Sequence, residues 1–355
     1  MGESVFLHQE LLRFVSDCLS CAGVPRDDAD WTAHTLVRAD VWGRSTHGVS
    51  RLLAYVRGIE RGKINPTPSI SVTRTAMATV TVDGDDGLGP VVAKVGMEHA
   101  ILCAKESGVG AASVRRGNHA GALGIYTAMA AQEGFVALAF TNAQPAIAPW
   151  GGSKAFFGTN PIAMSAGRGD QQITVDLATS VVARGNIILA AKEGKPIPEG
   201  WAMDERGVPT TDAKAALSGA VLPMAGPKGY SLALLVEVLA GVLSGSAVGD
   251  QVGSIYDDRP EAPDTGMFFL ALNPEMFGGR QLFESRLFEM EEEIHHAPIA
   301  DGVDQIYLPG ERKREMARER EASGIPLCAQ TVAELEQLAQ QFSLRVPKIH
   351  QGEQS

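Results

Sequence analysis

A surplus of basic residues is the first thing missing: 31 Lys and Arg stand against 42 Asp and Glu, a formal net charge of −11 over 355 residues. A nucleic-acid backbone requires a concentrated basic surface, so this balance argues against nucleic acid as the partner. Small anionic substrates are not excluded, because a few local arginines outweigh a distant field. Cysteine is scarce too, with Cys18, Cys21, Cys103 and Cys328 only. No signal-peptide pattern precedes the first helix-like segment, so reduced thiols and a cytoplasmic setting are expected. Cys18 and Cys21 have CxxC spacing, but no second pair accompanies them and they sit inside a helical repeat, as two small residues of an amphipathic helix. A membrane-length apolar run is also absent: Tyr230 to Leu243 is broken by Glu237 and Gly241 and reads as a buried helix, which leaves no membrane partner. The dinucleotide fingerprint G-x-G-x-x-G is missing. Its nearest approach, Gly108-Val109-Gly110, leads into a strand where a fingerprint glycine would leave one. No Walker-A lysine motif occurs either.

What is present describes an α/β protein. The length suits two packed domains, and hydrophobic residues at 45% with charged residues at 21% match a globular chain. From Ser4 to about Lys63 the apolar spacing is helical, with a third helix expected to start near Thr46. After Pro68 the pattern changes to strands at Ile70–Thr73 and Thr79–Asp83. A helix at Val91–Ser107, a strand at Gly110–Val114, a helix at Gly121–Glu133 and a strand at Val136–Thr141 follow. Ala191 to Pro223 reads as irregular, and a strand is expected over Met267–Leu272. Helices return at the C-terminus: a charged surface helix over Glu311–Glu321, then a capping box at Thr331–Glu334 before the Leu335, Leu338, Phe342 stripe. The simplest assembly joins both helical ends into one domain, residues 1–75 plus 306–355, around an α/β domain of residues 76–305.

Four segments carry candidate chemistry. On one helix, His47, Arg51 and Tyr55 would be spaced by four and again by four, within about 80° of its surface. A titratable imidazole, a guanidinium able to grip a carboxylate through two hydrogen bonds, and a phenol then form an anion-binding acid/base set, or merely the polar face of a surface helix. His119, in Asn118-His119-Ala120-Gly121, lies where a strand hands over to a helix; it reads equally as a second acid/base group, a cofactor contact or a helix cap. Asp176-Leu177-Ala178-Thr179-Ser180 ends a strand with one carboxylate and two hydroxyls. Lys228-Gly229 opens the oily helix, where the helix dipole favours an anion. Glu291 to His296 has the residue types of a metal cluster, but a charged run on a helix is ordinarily solvated, and no metal site is assigned.

Taken in order, these segments resemble the malate/L-lactate dehydrogenase family, whose NAD(P)-binding fold is not a Rossmann fold and whose relatives include ureidoglycolate, sulfolactate and diketogulonate enzymes and cyclic-imine reductases. The resemblance runs from Asp40–Tyr55 through Val82-Asp83-Gly84, Asn118–Gly121, Pro149–Gly152, Gly158–Ile162, Asp176–Ser180, Ile197–Ala202 and Lys228-Gly229 to Pro309-Gly310-Glu311 and Gly324–Leu327. It implies a non-Rossmann α/β NAD(P)-binding domain with a helical domain, NAD or NADP as cofactor, a small anionic 2-oxoacid or 2-hydroxyacid as substrate, and a homodimer. It implies His47 as the acid/base group, Arg51 as the carboxylate clamp, Tyr55 as a substrate contact and His119 as the alternative proton carrier. Cofactor contacts are implied at His119, Ala120, Gly121, Asp176, Leu177, Ala178, Thr179, Lys228, Gly229, Gly310 and Glu311.

Two departures stand out. Thr46 replaces the usual serine before the histidine, keeping the hydroxyl and adding a methyl. Asn142-Ala143-Gln144-Pro145 lacks the lysine of the ureidoglycolate enzymes, which argues against that substrate. The alternative activities are reduction of a cyclic imine 2-carboxylate, which the same clamp and proton donor would serve, and non-catalytic sensing of NAD(P).

Overall fold

The computed structural model describes residues 4–257 and 261–348. A short strand, β1 (Ser4–Phe6), leads into α1 (His8–Cys21), α2 (Arg26–Val41) and α3 (Leu52–Glu60). Next come β2 (Ser71–Ala76), β3 (Thr79–Asp83), α4 (Gly89–Ser107), β4 (Val109–Gly117), α5 (Gly124–Gln132) and β5 (Val136–Thr141). Beyond them lie β6 (Ile162–Ala166), β7 (Ile173–Leu177), α6 (Arg184–Glu193), β8 (Ala202–Met203), β9 (Pro209–Thr210), α7 (Ala213–Ser218) and β10 (Ala220–Val221). The chain closes with α8 (Pro227–Val236), β11 (Thr265–Leu272), α9 (Arg280–His295), α10 (Glu311–Ser323), β12 (Ile325–Leu327) and α11 (Ala329–Phe342).

Seven strands form the central sheet in the order β2-β3-β4-β11-β5-β6-β7. Only β3 and β4 run parallel, joined by α4; every other neighbouring pair is antiparallel. A doubly wound nucleotide fold needs consecutive parallel units. This sheet has one, which accounts for the missing fingerprint. In β11 the alternating Met267, Phe269 and Ala271 are fully buried against α4 and α5. On the opposite face Phe140 and Phe268 pack with Val236 and Ala240. There α8 passes into a π-helical turn, Glu237–Val242, and the buried Glu237 carboxylate accepts from Asn160 Nδ2 at 2.7 Å and from the Gly249 N–H at 2.9 Å.

A second core joins the two ends of the chain. Phe6, Leu11, Leu36, Leu52, Val56, Ile325, Leu335 and Leu338 share one buried cluster. Ser4–Phe6 is not helical as expected; it pairs antiparallel with Ile325–Leu327, a partner that local periodicity cannot reveal. Other expectations change as well. The stretch 191–223 is ordered, holding α7, capped by Asp212, and the small sheet β10-β8-β9. The capping box at Thr331 does not form: α11 starts earlier, from Cys328, and Thr331 is buried inside it. The charged helix α10 is not purely a surface element, since Arg320 reaches the Asp40 carbonyl and Arg38 pairs with Glu321 at 2.7 Å. All four cysteines are free. Among the described residues no helix is long and apolar enough to cross a membrane, and no group of three or more His, Cys, Asp or Glu is arranged to hold a metal.

Candidate active site

The expected third helix is interrupted where the chemistry lies. Ser45–His47 and Val49–Arg51 are two short 3-10 turns separated by Gly48, whose backbone is extended at φ −91° and ψ −153°. The cause is tertiary. Asp40, 1% exposed near the end of α2, accepts the Val49 N–H at 2.7 Å and so takes a donor that a continuous helix would direct to its own carbonyls. A Cβ on Gly48 would lie 2.1 Å from Asp40 Oδ1, so only glycine fits this turn while the carboxylate occupies its place. His47, Arg51 and Tyr55 are therefore not a stripe on one α-helix, although the fold still gathers them.

Thr46 Oγ1 lies 3.0 Å from His47 Nδ1, and Arg51 Nε donates to the Thr46 carbonyl at 2.5 Å. The His47 ring stacks on His119, with centroids 5.6 Å apart and planes inclined by 26°. Tyr55 is 1% exposed, and its hydroxyl touches both His119 Nδ1 at 2.8 Å and the His119 carbonyl at 3.1 Å. A phenol has one hydrogen to give. Both contacts close when Nδ1–H donates to the phenol oxygen and the phenol donates to the carbonyl, which leaves His119 Nε2 as an acceptor. Tyr55 thus holds His119 from behind rather than facing a ligand.

Burial pushes both imidazoles below the ordinary histidine range. For His47, Arg51 and Arg44 add to that effect while Asp176 opposes it; for His119, the neighbouring His47 and Arg51 add to it. Two stacked, half-buried rings beside two guanidiniums are held in the neutral form and can accept a proton. Burial also pushes the Asp40 carboxyl up to about 7, against the Val49 hydrogen bond and the Arg320 charge, which pull it down.

His119 is placed by a laced loop. Arg116, left-handed at φ 51°, pairs with Asp83, Asp85 and Asp86 at 3.2, 3.1 and 2.6 Å. Buried Asn118 donates to the carbonyls of Asp86 and Gly87 at 2.8 and 3.0 Å. Gly121 follows at φ +74° with nothing within 4 Å of where a side chain would begin, so its backbone is open to close approach.

Asp176, at the end of β7, faces this region. Its Oδ2 accepts the Gly124 N–H at 3.2 Å and lies 4.0 Å from Lys313 Nζ, and its carbonyl accepts from Arg44 at 3.5 Å. Lys313 Nζ is buried without a hydrogen-bond partner, over the Trp42 ring at 5.5 Å. Burial lowers its pKa and Asp176 opposes the shift. The hydroxyls expected nearby are engaged elsewhere: Thr179 donates to the Thr159 carbonyl at 2.9 Å and Ser180 to the Val182 carbonyl at 2.8 Å. Leu177 is 39% exposed and Ala178 half-buried. Lys228 is exposed and Gly229 buried in the first turn of α8, which meets the same strand end through the Met224 N–H on the Thr179 carbonyl at 2.9 Å. Pro309 accepts the Thr174 N–H at 2.9 Å and so seats Gly310 on the start of β7, but the Glu311 carboxylate is engaged by His295 at 3.0 Å and by the Leu308 N–H at 2.7 Å. Ala120 is buried. Arg184 is directed to the carbonyls of Pro145 and Leu217 at 3.1 and 3.4 Å.

Against the known proteins, residues 6–336 match the family model described as malate/L-lactate dehydrogenase. The chain belongs to the malate/L-lactate dehydrogenase family. A solved structure of sulfolactate dehydrogenase from Methanocaldococcus jannaschii superposes with a TM-score of 0.90 at 37% identity, covering 96% of this chain and 98% of that one. A (2R)-3-sulfolactate dehydrogenase (NADP(+)) from Chromohalobacter salexigens is 40% identical over 85% of this chain and 88% of its own length. A ureidoglycolate dehydrogenase (NAD(+)) from Escherichia coli K12 is 36% identical over 90% of this chain and 91% of its own. Within this member of the family, the sequence reading missed Asp40, Arg44, Lys313 and Tyr256 as neighbours of the histidine turn. Only Asp40, the lone carboxylate in the last turns of α2, had any signal in the sequence.

Proposed function

We propose that this chain is an NAD(P)-dependent oxidoreductase interconverting a 2-oxoacid and a 2-hydroxyacid. The observation that carries the reading is the stacked His47–His119 pair held beside the Arg51 guanidinium. Oxidation of a hydroxyacid needs a base at the C2 hydroxyl, a cation at the carboxylate and a hydride acceptor at C2. A bound nicotinamide supplies the hydride chemistry. His47 carries the hydroxyl proton, supported by the Thr46 hydroxyl, and Arg51 orients the carboxylate so that C2 presents its hydrogen. His119 is the second proton carrier of the pair, and Tyr55 is its positioning residue.

The open backbone at Gly121 and the exposed Lys228 at a helix start suit a dinucleotide. Ala120, Gly121, the backbone of Asp176 to Thr179, Lys228, Gly229 and Gly310 would hold it, with His119 at the reacting end. The relatives named for NAD(+) and for NADP(+) support either cofactor. We place the protein in the cytoplasm as a homodimer. Leu234, Leu235, Val238, Val242 and Leu243 are all exposed along α8 and its π-helical turn, an apolar ridge suited to a second copy. We divide each protomer into a helical domain, residues 1–75 plus 306–355, and an α/β domain, 76–305; β2 lies across the first boundary and Trp31 packs on both cores.

The test follows nicotinamide absorbance with NADH and NADPH against pyruvate, oxaloacetate, sulfopyruvate and a cyclic imine 2-carboxylate. Turnover of an open-chain 2-oxoacid supports the proposal. Turnover of the cyclic imine alone replaces it with imine reduction, and tight cofactor binding without turnover of any acid replaces it with sensing. If His47→Ala keeps full turnover and His119→Ala loses it, the two histidines exchange roles.

A further inference from the structure

The Arg51 guanidinium is not alone. Arg51 Nη1 donates to Tyr256 Oη at 2.8 Å, and the guanidinium carbon sits 5.3 Å from the centroid of the Tyr256 ring. A guanidinium has five N–H donors. One goes to the Thr46 carbonyl and one to Tyr256, which leaves three without an acceptor among the described residues. Because Tyr256 Oη accepts from Arg51, its own hydrogen is left to donate, beside the free edge of the cation. Tyr256 is 46% exposed, so the phenol is reachable.

The segment carrying Tyr256 is fixed from below. Lys63, 1% exposed, directs its ammonium to the Ser254 carbonyl at 2.9 Å, the Asp257 carbonyl at 2.7 Å and Asp257 Oδ1 at 2.5 Å. All three ammonium donors thus go to residues flanking Tyr256, and the adjacent Ile255 is buried in the helical core. A buried ammonium is costly unless it is paired and hydrogen-bonded, and each of these partners of Lys63 lies on this one loop.

We propose that Tyr256 is a further substrate-binding residue, its hydroxyl giving the 2-carboxylate a donor beside Arg51, and that Lys63 is the positioning residue that presents it. The inference rests on the 2-oxoacid reading above. An ordinary phenol has a pKa of about 10, so Tyr256 keeps its hydrogen at neutral pH. A carboxylate bound end-on to Arg51 then receives charge-assisted bonds from two directions, which selects its tilt as well as its charge.

The test is calorimetric titration of oxamate, a small 2-oxoacid analogue, into enzyme holding NADH or NADPH. Tyr256→Phe keeps the ring over Arg51 and removes only the hydroxyl. It should weaken oxamate about tenfold while leaving cofactor affinity unchanged. Arg51→Leu should weaken oxamate by ten- to hundredfold, roughly. Lys63→Met should weaken it in the parent and add little in the Tyr256→Phe background. Unchanged oxamate affinity in Tyr256→Phe, with loss in Arg51→Leu, overturns this inference alone. An equal loss from Lys63→Met in both backgrounds removes the role given to Lys63. Unchanged affinity in both Tyr256→Phe and Arg51→Leu, or no oxamate binding by the parent, overturns the 2-oxoacid reading together with it.

Discussion

The carboxylate of Asp40 reaches the Val49 N–H at 2.7 Å through the space where a side chain of Gly48 would be. One buried acid thereby sets the path of the backbone between His47 and Arg51, and the two side chains face the same region although the helix is broken there. Gly48→Ala should cost about 1–3 kcal/mol by overpacking against that carboxylate. The same substitution made in an Asp40→Ala background should cost less, since the atoms it strikes are gone. A double-mutant cycle of thermal unfolding measures the difference, and equal costs in the two backgrounds would show that the clash is not with Asp40.

Asp40 also gives stability a pH dependence. Its folded-state pKa, about 7, is above that of an unfolded aspartate, so its contribution is complete below the unfolded value and is lost as pH rises through the folded one. Asp40→Asn keeps an acceptor for Val49 and cannot ionise. The melting temperature of the variant relative to the parent should therefore improve between about pH 5 and about pH 8. A constant difference across that range would mean that Asp40 is charged throughout.

The two histidines act in the opposite sense. Their folded-state pKa values are lowered, so the stability they contribute is present above the unfolded histidine value and falls away as the medium is acidified through the range below it. The acid limb of kcat/KM for hydroxyacid oxidation, which reports the free enzyme, should lie below about 6.5. A limb at or above the ordinary histidine value would contradict a neutral pair.

Tyr55→Phe removes a hydroxyl that touches His119 and is closed off from solvent. The loss of this buried hydrogen bond should cost about 1–2 kcal/mol of stability. Turnover should fall because His119 is no longer held in one tautomer, while KM for the acid stays near the parent value. A rise in KM with unchanged kcat would instead place Tyr55 against the substrate, as the sequence suggested.

Local patterns carried much of the fold. Thr79–Asp83 and Val136–Thr141 form as expected, because strand alternation and turn glycines are local signals. The pairing of Ser4–Phe6 with Ile325–Leu327 was not legible, since its information is divided between the two ends of the chain. The site shows the same division. His47, Arg51 and His119 could be named from residue type and spacing, yet the break at Gly48 depends on a carboxylate one helix away. Lys313 was hidden in a charged run where nothing marks which side chain is turned inward. Tyr256 was a single aromatic in a loop, and only its contact with Arg51 distinguishes it.

The clasp between β1 and β12 and the Arg320 contact with the Asp40 carbonyl have a consequence for biosynthesis. The segment bearing His47 leaves the ribosome well before α10 and β12, which support it. A nascent chain therefore cannot assemble its reactive centre until those two elements have emerged, and a product truncated before α10 would carry every proposed proton carrier without the scaffold that aligns them.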